Sequence, residues 1–243
     1  MALKTKFIVL SRGRTGSTYL MGGLNSHPDI FAKKEVFHPK NPEPINGKRY
    51  NGRENSWEFV NRNLFECADV IQKVVGFKLF YFHALGSEAT TAIWRHIEQD
   101  ESIKLILLER ENILASIISR ESAKQKGAWQ PNSSTYFDPV ELELHLDAVE
   151  EEIDRTKRYY EWGRGFLQEE RAIKTTYDEL MTDAPAQFCL IARHLGVDPH
   201  LAEWPIFNQA VSSVQNTRII NISGLASRLE AQGDAWMLEP YRD

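Results

Sequence analysis

Within five residues, Arg14-Thr15-Gly16-Ser17-Thr18 brings together a guanidinium, a glycine and three hydroxyls. These groups can bind a phosphate: a forked cation, hydroxyl donors, and a residue whose missing side chain lets backbone N–H groups approach the oxygens. The run lies between an apolar stretch, Phe7-Ile8-Val9-Leu10, and the start of a helical pattern. A turn placed there also gains from the helix dipole, which favours an anion at the N-terminus. A second guanidinium, Arg110, follows another apolar stretch, 103–108, and precedes the hydroxyls of Ser116 and Ser119. A phosphate-type loop at a strand-to-helix turn describes a nucleotide-handling α/β protein.

The loop departs from the phosphate turn of ATP- and GTP-hydrolysing enzymes, which runs glycine, four residues, then glycine-lysine-serine or threonine. Ser11 stands at the place of the first glycine and Ser17 at the place of the lysine. Arg14 precedes the last glycine instead of following it. Those enzymes also need an acidic residue for magnesium after a second strand. Here the 103–108 strand ends in Glu109-Arg110, a cation where phosphate would lie. Binding through arginine and backbone, without a metal, fits these residues. A small-molecule kinase and a catalytically silent nucleotide-binding protein stand as alternatives.

Arg14-Thr15-Gly16-Ser17-Thr18 resembles the 5′-phosphosulfate loop of the sulfotransferases that use 3′-phosphoadenosine 5′-phosphosulfate (PAPS). Leu107-Leu108-Glu109-Arg110-Glu111-Asn112-Ile113-Leu114, with Ile117-Ile118-Ser119 after it, is similar to that family's 3′-phosphate motif. Ala123, Gly127 and Trp129 fall where bacterial carbohydrate sulfotransferases of the trehalose and nodulation-factor type carry the same residues. Arg110 and Ser119 lie one position further apart than the pair in the cytosolic animal enzymes, which makes Ser116 a rival. The Ala-Gly-Trp register favours Ser119. Asn25-Ser26-His27-Pro28-Asp29-Ile30 and Lys34-Glu35-Val36-Phe37-His38-Pro39 resemble the segment that carries the carbohydrate enzymes' catalytic glutamate. Val75-Gly76-Phe77-Lys78-Leu79 resembles a Gly-x-Lys strand near the active site, and Thr176-Tyr177-Asp178-Glu179-Leu180 a Tyr-Glu-x-Leu block by the adenine. The matches span residues 7–198.

The resemblance implies PAPS as donor co-substrate, 3′,5′-diphosphoadenosine (PAP) as product, and no metal. It implies in-line sulfuryl transfer to an acceptor hydroxyl, on a carbohydrate or glycolipid. Gly16, Ser17 and Thr18 would hold the 5′-phosphate, with Thr15 shaping the loop. Arg14 would stabilise charge on the departing phosphate oxygen, while Arg110 and Ser119 take the 3′-phosphate and Tyr177 meets the adenine. Glu35 would take the acceptor's proton, with His38 as second choice and His27 as a further candidate. Lys78 and His38 would face the acceptor. Arg218 is assigned to a C-terminal segment that closes over the nucleotide.

The elements that must position these groups alternate along the chain. Strands are expected at 7–10, 73–82, 103–108 and 172–175, and helices at 17–26, 56–66, 87–98, 112–124, 184–195 and 222–231. Asp138-Pro139 reads as cap and first turn of a further helix, carried by the stripe Leu142, Leu146, Val149, Ile153 and Tyr160 with a solvated face opposite. The alternation predicts one α/β domain over 1–243, a mostly parallel sheet with helices on both faces, in the P-loop-like sulfotransferase fold. Residues 38–56, with three prolines and two glycines, read as a long loop forming part of the acceptor wall. Trp129, Tyr136 and Phe137 sit in a second loop, as sugar-stacking or gap-filling rings.

A net charge of −5 over 243 residues argues against a nucleic-acid binder, since no basic stripe can displace counterions. Cys67 and Cys189 have neither metal-ligand spacing nor a disulfide framework around them. The first strand begins without a leader or an apolar run long enough to cross a membrane, so a cytoplasmic, bacterial-type enzyme is expected. Acceptor identity and oligomeric state are not written in these patterns.

Overall fold

Thr5–Ser11 form strand β1, buried from Phe7 onward. A strand covered on both faces belongs inside a sheet, and its near-continuous apolar run is the pattern of parallel strands. β1 is the centre of a five-stranded sheet that also holds β2 (Ile30–Glu35), β3 (Val74–Phe80), β4 (Ile103–Glu109) and β6 (Ala172–Thr176). The order is β2-β3-β1-β4-β6, every pair parallel. In such a sheet the functional loops gather at the carboxyl ends of the strands. The structure, a computed structural model, describes residues 4–129, 138–168, 170–205 and 216–241.

The chain divides into two compact units, Met1–Glu109 with Trp162–Ile206, and Arg110–Glu161 with Phe207–Asp243. In the first, helix α1 (Ser17–Leu24) and helix α7 (Ala184–Leu195) cover one face of the sheet. Leu20, Met21, Leu24, Phe188 and Ile191 pack there on Phe7 and Val9. On the other face Phe77 of β3 meets the rings of Phe37 and Phe65. Phe65 ends a single π-helical turn, Asn61–Phe65, that continues the short helix α2 (Ser56–Val60). Helix α3 (Glu88–Gln99), capped by Ser87, binds α2 through the Ile93 N–H and the Ser56 hydroxyl, 2.9 Å apart. Helices thus cover both faces, as expected. Gly76 of β3 lies opposite Phe7, where an added Cβ would fall 2.2 Å from the Phe7 carbonyl oxygen. Only glycine fits.

The second unit holds helix α4 (Ile113–Lys126), capped by Asn112 and closed by Gly127. It also has a parallel ribbon of β5 (Val140–Leu142) and β7 (Thr217–Ile219), and helix α8 (Ile222–Gln232). Helix α5 (Leu146–Arg164) runs from this unit into the first.

Three expectations need correction. Asp138-Pro139 does not open a helix: Val140-Glu141-Leu142 alternates buried, exposed, buried and pairs with a strand from far later in the chain, so α5 begins only at Leu146. The polar face of α5 is not simply solvated. Glu152 forks with Arg120, Glu150 binds Arg228, and Lys157 binds Asp234. The helix predicted over 56–66 splits, because its second half takes the wider π spacing. Strand β2, strand β7 and helix α6 (Tyr177–Thr182) were not foreseen.

Candidate active site

The loop after β1 is shaped by two residues in the left-handed region, Arg14 at φ 65° and Gly16 at φ 78°. Thr15 is fully buried and its hydroxyl donates to the Arg12 carbonyl at 2.8 Å, closing the turn from inside. Gly16 caps α1 without a side-chain hydrogen bond, and the first turn carries no acidic residue. The amides of that turn are thus left without a capping side chain or a competing carboxylate, and the helix dipole favours an anion there.

Glu35 ends β2, and its placement depends on a bulge. Lys33 is paired with Phe77, yet Glu35 is paired with Lys78, so Lys34 is an extra residue. Were Lys34 paired in regular register, Glu35 would lie opposite Leu79. Bulges commonly re-aim a side chain beside a functional site, and here the effect is to join a carboxylate to a lysine.

Lys78 is only 1% exposed, and its ammonium donates to Glu35 Oε1 at 3.0 Å and to Ser17 Oγ at 3.3 Å. Its Nζ also lies over the Phe80 ring. Burial pushes this lysine below the ordinary range, and the Glu35 carboxylate pulls it back up. An unpaired buried ammonium would cost several kcal/mol, roughly, so Glu35 is the partner that lets Lys78 sit there. Lys78 therefore links the phosphate-type loop to the candidate base.

Glu35 Oε2 faces His38 Nε2 at 3.9 Å. His38 Nδ1 accepts the backbone N–H groups of Lys40 and Asn41, at 3.2 and 2.9 Å. The ring proton therefore belongs on Nε2, pointing at Glu35. With its Nδ1 lone pair engaged by those two amides, His38 turns a donor, not an acceptor, towards Glu35. Glu35 keeps 29% of its side chain exposed and carries the available basic oxygen. His27 is removed as a candidate: it is buried, its Nε2 meets the Asp198 carbonyl at 2.9 Å and its Nδ1 accepts the Asp29 N–H.

His83 was missed. It lies just past the end of β3, buried, with its ring 5.9 Å from that of His38. Burial holds its pKa down to about 4, against a raising influence from Glu35. The signal was its place in the loop after the Gly-x-Lys strand, where an α/β sheet gathers its functional groups.

Tyr177 lies at the start of α6. Thr176 caps that helix and Glu179 reaches back to the Thr176 N–H at 2.7 Å, while Leu180 is sunk in the core. This capping box explains the local sequence and fixes where Tyr177 goes. A Cβ on Gly16 would meet the Tyr177 ring at 3.2 Å, so tyrosine and phosphate-type loop are neighbours.

In the second unit Arg110 is nearly buried and its backbone N–H donates to the Tyr160 hydroxyl at 3.2 Å. Ser116 and Ser119 are both buried on α4. The Ser116 hydroxyl donates to the Ile113 carbonyl at 2.7 Å, which commits its proton inside the helix. Arg218 is 79% exposed and pairs with Glu141 across the β5–β7 ribbon at 2.8 Å. Trp129 is half exposed; Tyr136 and Phe137 lie outside the described residues. In the 38–56 loop Ile45 and Tyr50 are buried, and Tyr50 packs on Phe37 and Phe59. Among the described residues no three histidine, cysteine or acidic side chains gather as a metal ion would need, and no helix is long and apolar enough to cross a membrane.

No family model matches the chain. Nodulation protein H of Rhizobium tropici is 25% identical over 217 residues, covering 87% of this chain and 82% of that one. The sulfotransferase domain from the curacin biosynthetic pathway superposes with a TM-score of 0.51 at 14% identity, over 88% of this chain and 83% of that one. A sulfotransferase from Alicyclobacillus acidocaldarius superposes with a TM-score of 0.49 at 16% identity, over 100% and 98% of the two chains. The parallel sheet with helices on both faces and the loop after its central strand are those of a sulfotransferase fold, and the chain is similar in sequence to a nodulation protein and in fold to a sulfotransferase domain.

Proposed function

We propose that the protein transfers the sulfuryl group of PAPS to a hydroxyl of a small-molecule or glycan acceptor, with Glu35 as the base and the two units serving as one sulfotransferase domain. The observation that carries this reading is the chain of contacts from Ser17 through Lys78 to Glu35. It joins the group expected at the donor's phosphate to the group expected at the acceptor's oxygen.

In the reaction the acceptor oxygen bonds to sulfur as the bond from sulfur to the phosphate oxygen breaks. The hydroxyl proton passes to Glu35, and PAP leaves. The amides of Gly16, Ser17 and Thr18 and the Ser17 and Thr18 hydroxyls hold the 5′-phosphate. Arg14 and Lys78 meet the negative charge that grows on the departing oxygen, the stage at which a fixed cation contributes most. Arg110 and Ser119 are assigned the 3′-phosphate, and Tyr177, beside Gly16, the adenine. His38 is assigned to the acceptor side, where its Nε2–H can donate. Arg218, already paired with Glu141, is left out of the donor site. Carbohydrate is the acceptor class the motifs favour, and the chemistry fits any alcohol that reaches Glu35.

Transfer from ³⁵S-labelled PAPS to a panel of sugars and simple alcohols tests the reading. Labelled acceptor with PAP released in equal amount is expected. Magnesium-dependent turnover of ATP without use of PAPS would favour the kinase alternative.

A further inference from the structure

We propose that His83 contacts the acceptor: one nitrogen of its imidazole hydrogen-bonds a hydroxyl adjacent to the one Glu35 deprotonates, which selects an alcohol bearing neighbouring hydroxyls. This rests on the sulfotransferase reading above and goes beyond it in naming a residue and an acceptor geometry.

His83 is 1% exposed, and neither ring nitrogen has a hydrogen-bond partner. Its backbone is well held: the N–H donates to the Phe80 carbonyl at 2.8 Å, and the carbonyl accepts from the Trp94 indole at 3.0 Å. The polar end of a fixed residue is thus buried unmatched. That is destabilising, and an apolar ring of similar shape would avoid the cost. Buried polar atoms left without partners in a native protein call for an explanation, and a role in the reaction is one.

The surroundings indicate what that role is. Glu35, Lys78 and His38 are the charged and titratable groups that act on the ring, so it lies in the field of the proposed base. With its pKa near 4 the ring is neutral at ordinary pH. A neutral imidazole offers one donor and one acceptor on different edges, and a hydroxyl can pair with either. Three rings surround it: Phe80 and Phe82, each 4.9 Å away, and His38 at 5.9 Å. Phe80 is buried, and His38 is pinned by the Lys40 and Asn41 amides. Phe82 is 47% exposed, close before Ala84 at φ 54° and Gly86 at φ 122°. Phe82 is the neighbour that can swing aside and open the imidazole to an acceptor.

The test compares wild type with His83→Phe and His83→Gln in three measurements. These are calorimetry with PAP, thermal melting, and ³⁵S transfer to glucose, trehalose and chitobiose beside ethanol. His83→Phe should bind PAP as wild type does and melt higher, since the unmatched nitrogens are gone. Its kcat/KM for the sugars should fall by about tenfold, the size of one hydrogen bond lost in the transition state. His83→Gln should recover part of that loss, and ethanol should not distinguish the three proteins. Undiminished sugar transfer by His83→Phe overturns the proposal, and so does a lower melting temperature for that variant. Wild type that binds PAP but sulfates no sugar overturns it while leaving the family reading intact. Wild type that does not bind PAP overturns both.

Discussion

Two ion pairs in the first unit each bury one charge near the carboxyl ends of the sheet, and they do so in opposite senses. In one, Glu109 at the end of β4 is buried and Arg164 reaches down from α5, half exposed. The guanidinium engages both carboxylate oxygens, with Nε 3.0 and 3.2 Å from them. In the other, the cation Lys78 is buried and the carboxylate Glu35 faces outward. Lysine presents a point charge where arginine presents a fork. One oxygen of Glu35 is therefore held at 3.0 Å, while the other lies 3.9 Å from His38. The first pair leaves nothing over for chemistry. The second fixes a carboxylate by one oxygen and leaves the other for the proposed acceptor.

If that contrast is right, the two pairs fail in different ways. The largest effect is expected from Glu35→Gln, which keeps the shape and removes the base. Transfer should drop by roughly a hundredfold to ten-thousandfold while PAP binding stays near normal, as single-turnover kinetics and calorimetry will report. Lys78→Met should lower turnover by roughly tenfold to a hundredfold. Its melting temperature should hold or rise, because a buried ammonium is replaced by an apolar chain of similar length. A Lys78→Met protein that unfolds with its rate intact would make this pair structural, like the other. Arg164→Leu should do the reverse, stranding the buried Glu109 and costing about 3 kcal/mol in urea unfolding, with turnover per folded molecule little changed.

A smaller effect sharpens the picture on the acceptor side. Burial holds His83 near 4, against 6.5 in the unfolded chain. Between those values the unfolded state binds a proton that the folded state does not. The stability tied to neutral His83 is therefore complete above about pH 6.5 and is lost as pH falls towards 4, roughly 3 kcal/mol in all. His96 and His194, also lowered by burial, contribute in the same direction. His83→Phe removes only its own share, so its stability lead over wild type should widen as the pH drops. A lead that stays constant from pH 7 to 4 would contradict a buried, neutral imidazole.

Local chemistry made much of this legible in the sequence. The apolar run before Arg14-Thr15-Gly16-Ser17-Thr18 is the central strand, and Gly16 takes the left-handed backbone that the turn requires. The glycine of Val75-Gly76-Phe77-Lys78 is dictated by the Phe7 backbone beside it, and the block around Tyr177 by a capping box. What was hidden depends on partners distant in sequence. Lys33-Lys34-Glu35 looks like polar loop, and only pairing with β3, with Lys34 bulged out, makes it a strand that delivers Glu35 to Lys78. Asp138-Pro139 carries a helix signal that pairing with Thr217–Ile219 overrides. No local pattern could show that His83 would be closed in by Phe80, Phe82 and His38 with its nitrogens unmatched.

The donor assignment can be tested most directly by titrating PAP and ATP separately into wild type and Arg110→Ala. The account predicts that wild type takes PAP far more tightly than ATP and that Arg110→Ala weakens PAP by roughly tenfold or more, the loss of a charge-assisted phosphate contact. Equal affinity for the two nucleotides, or unchanged PAP binding in the variant, would contradict it.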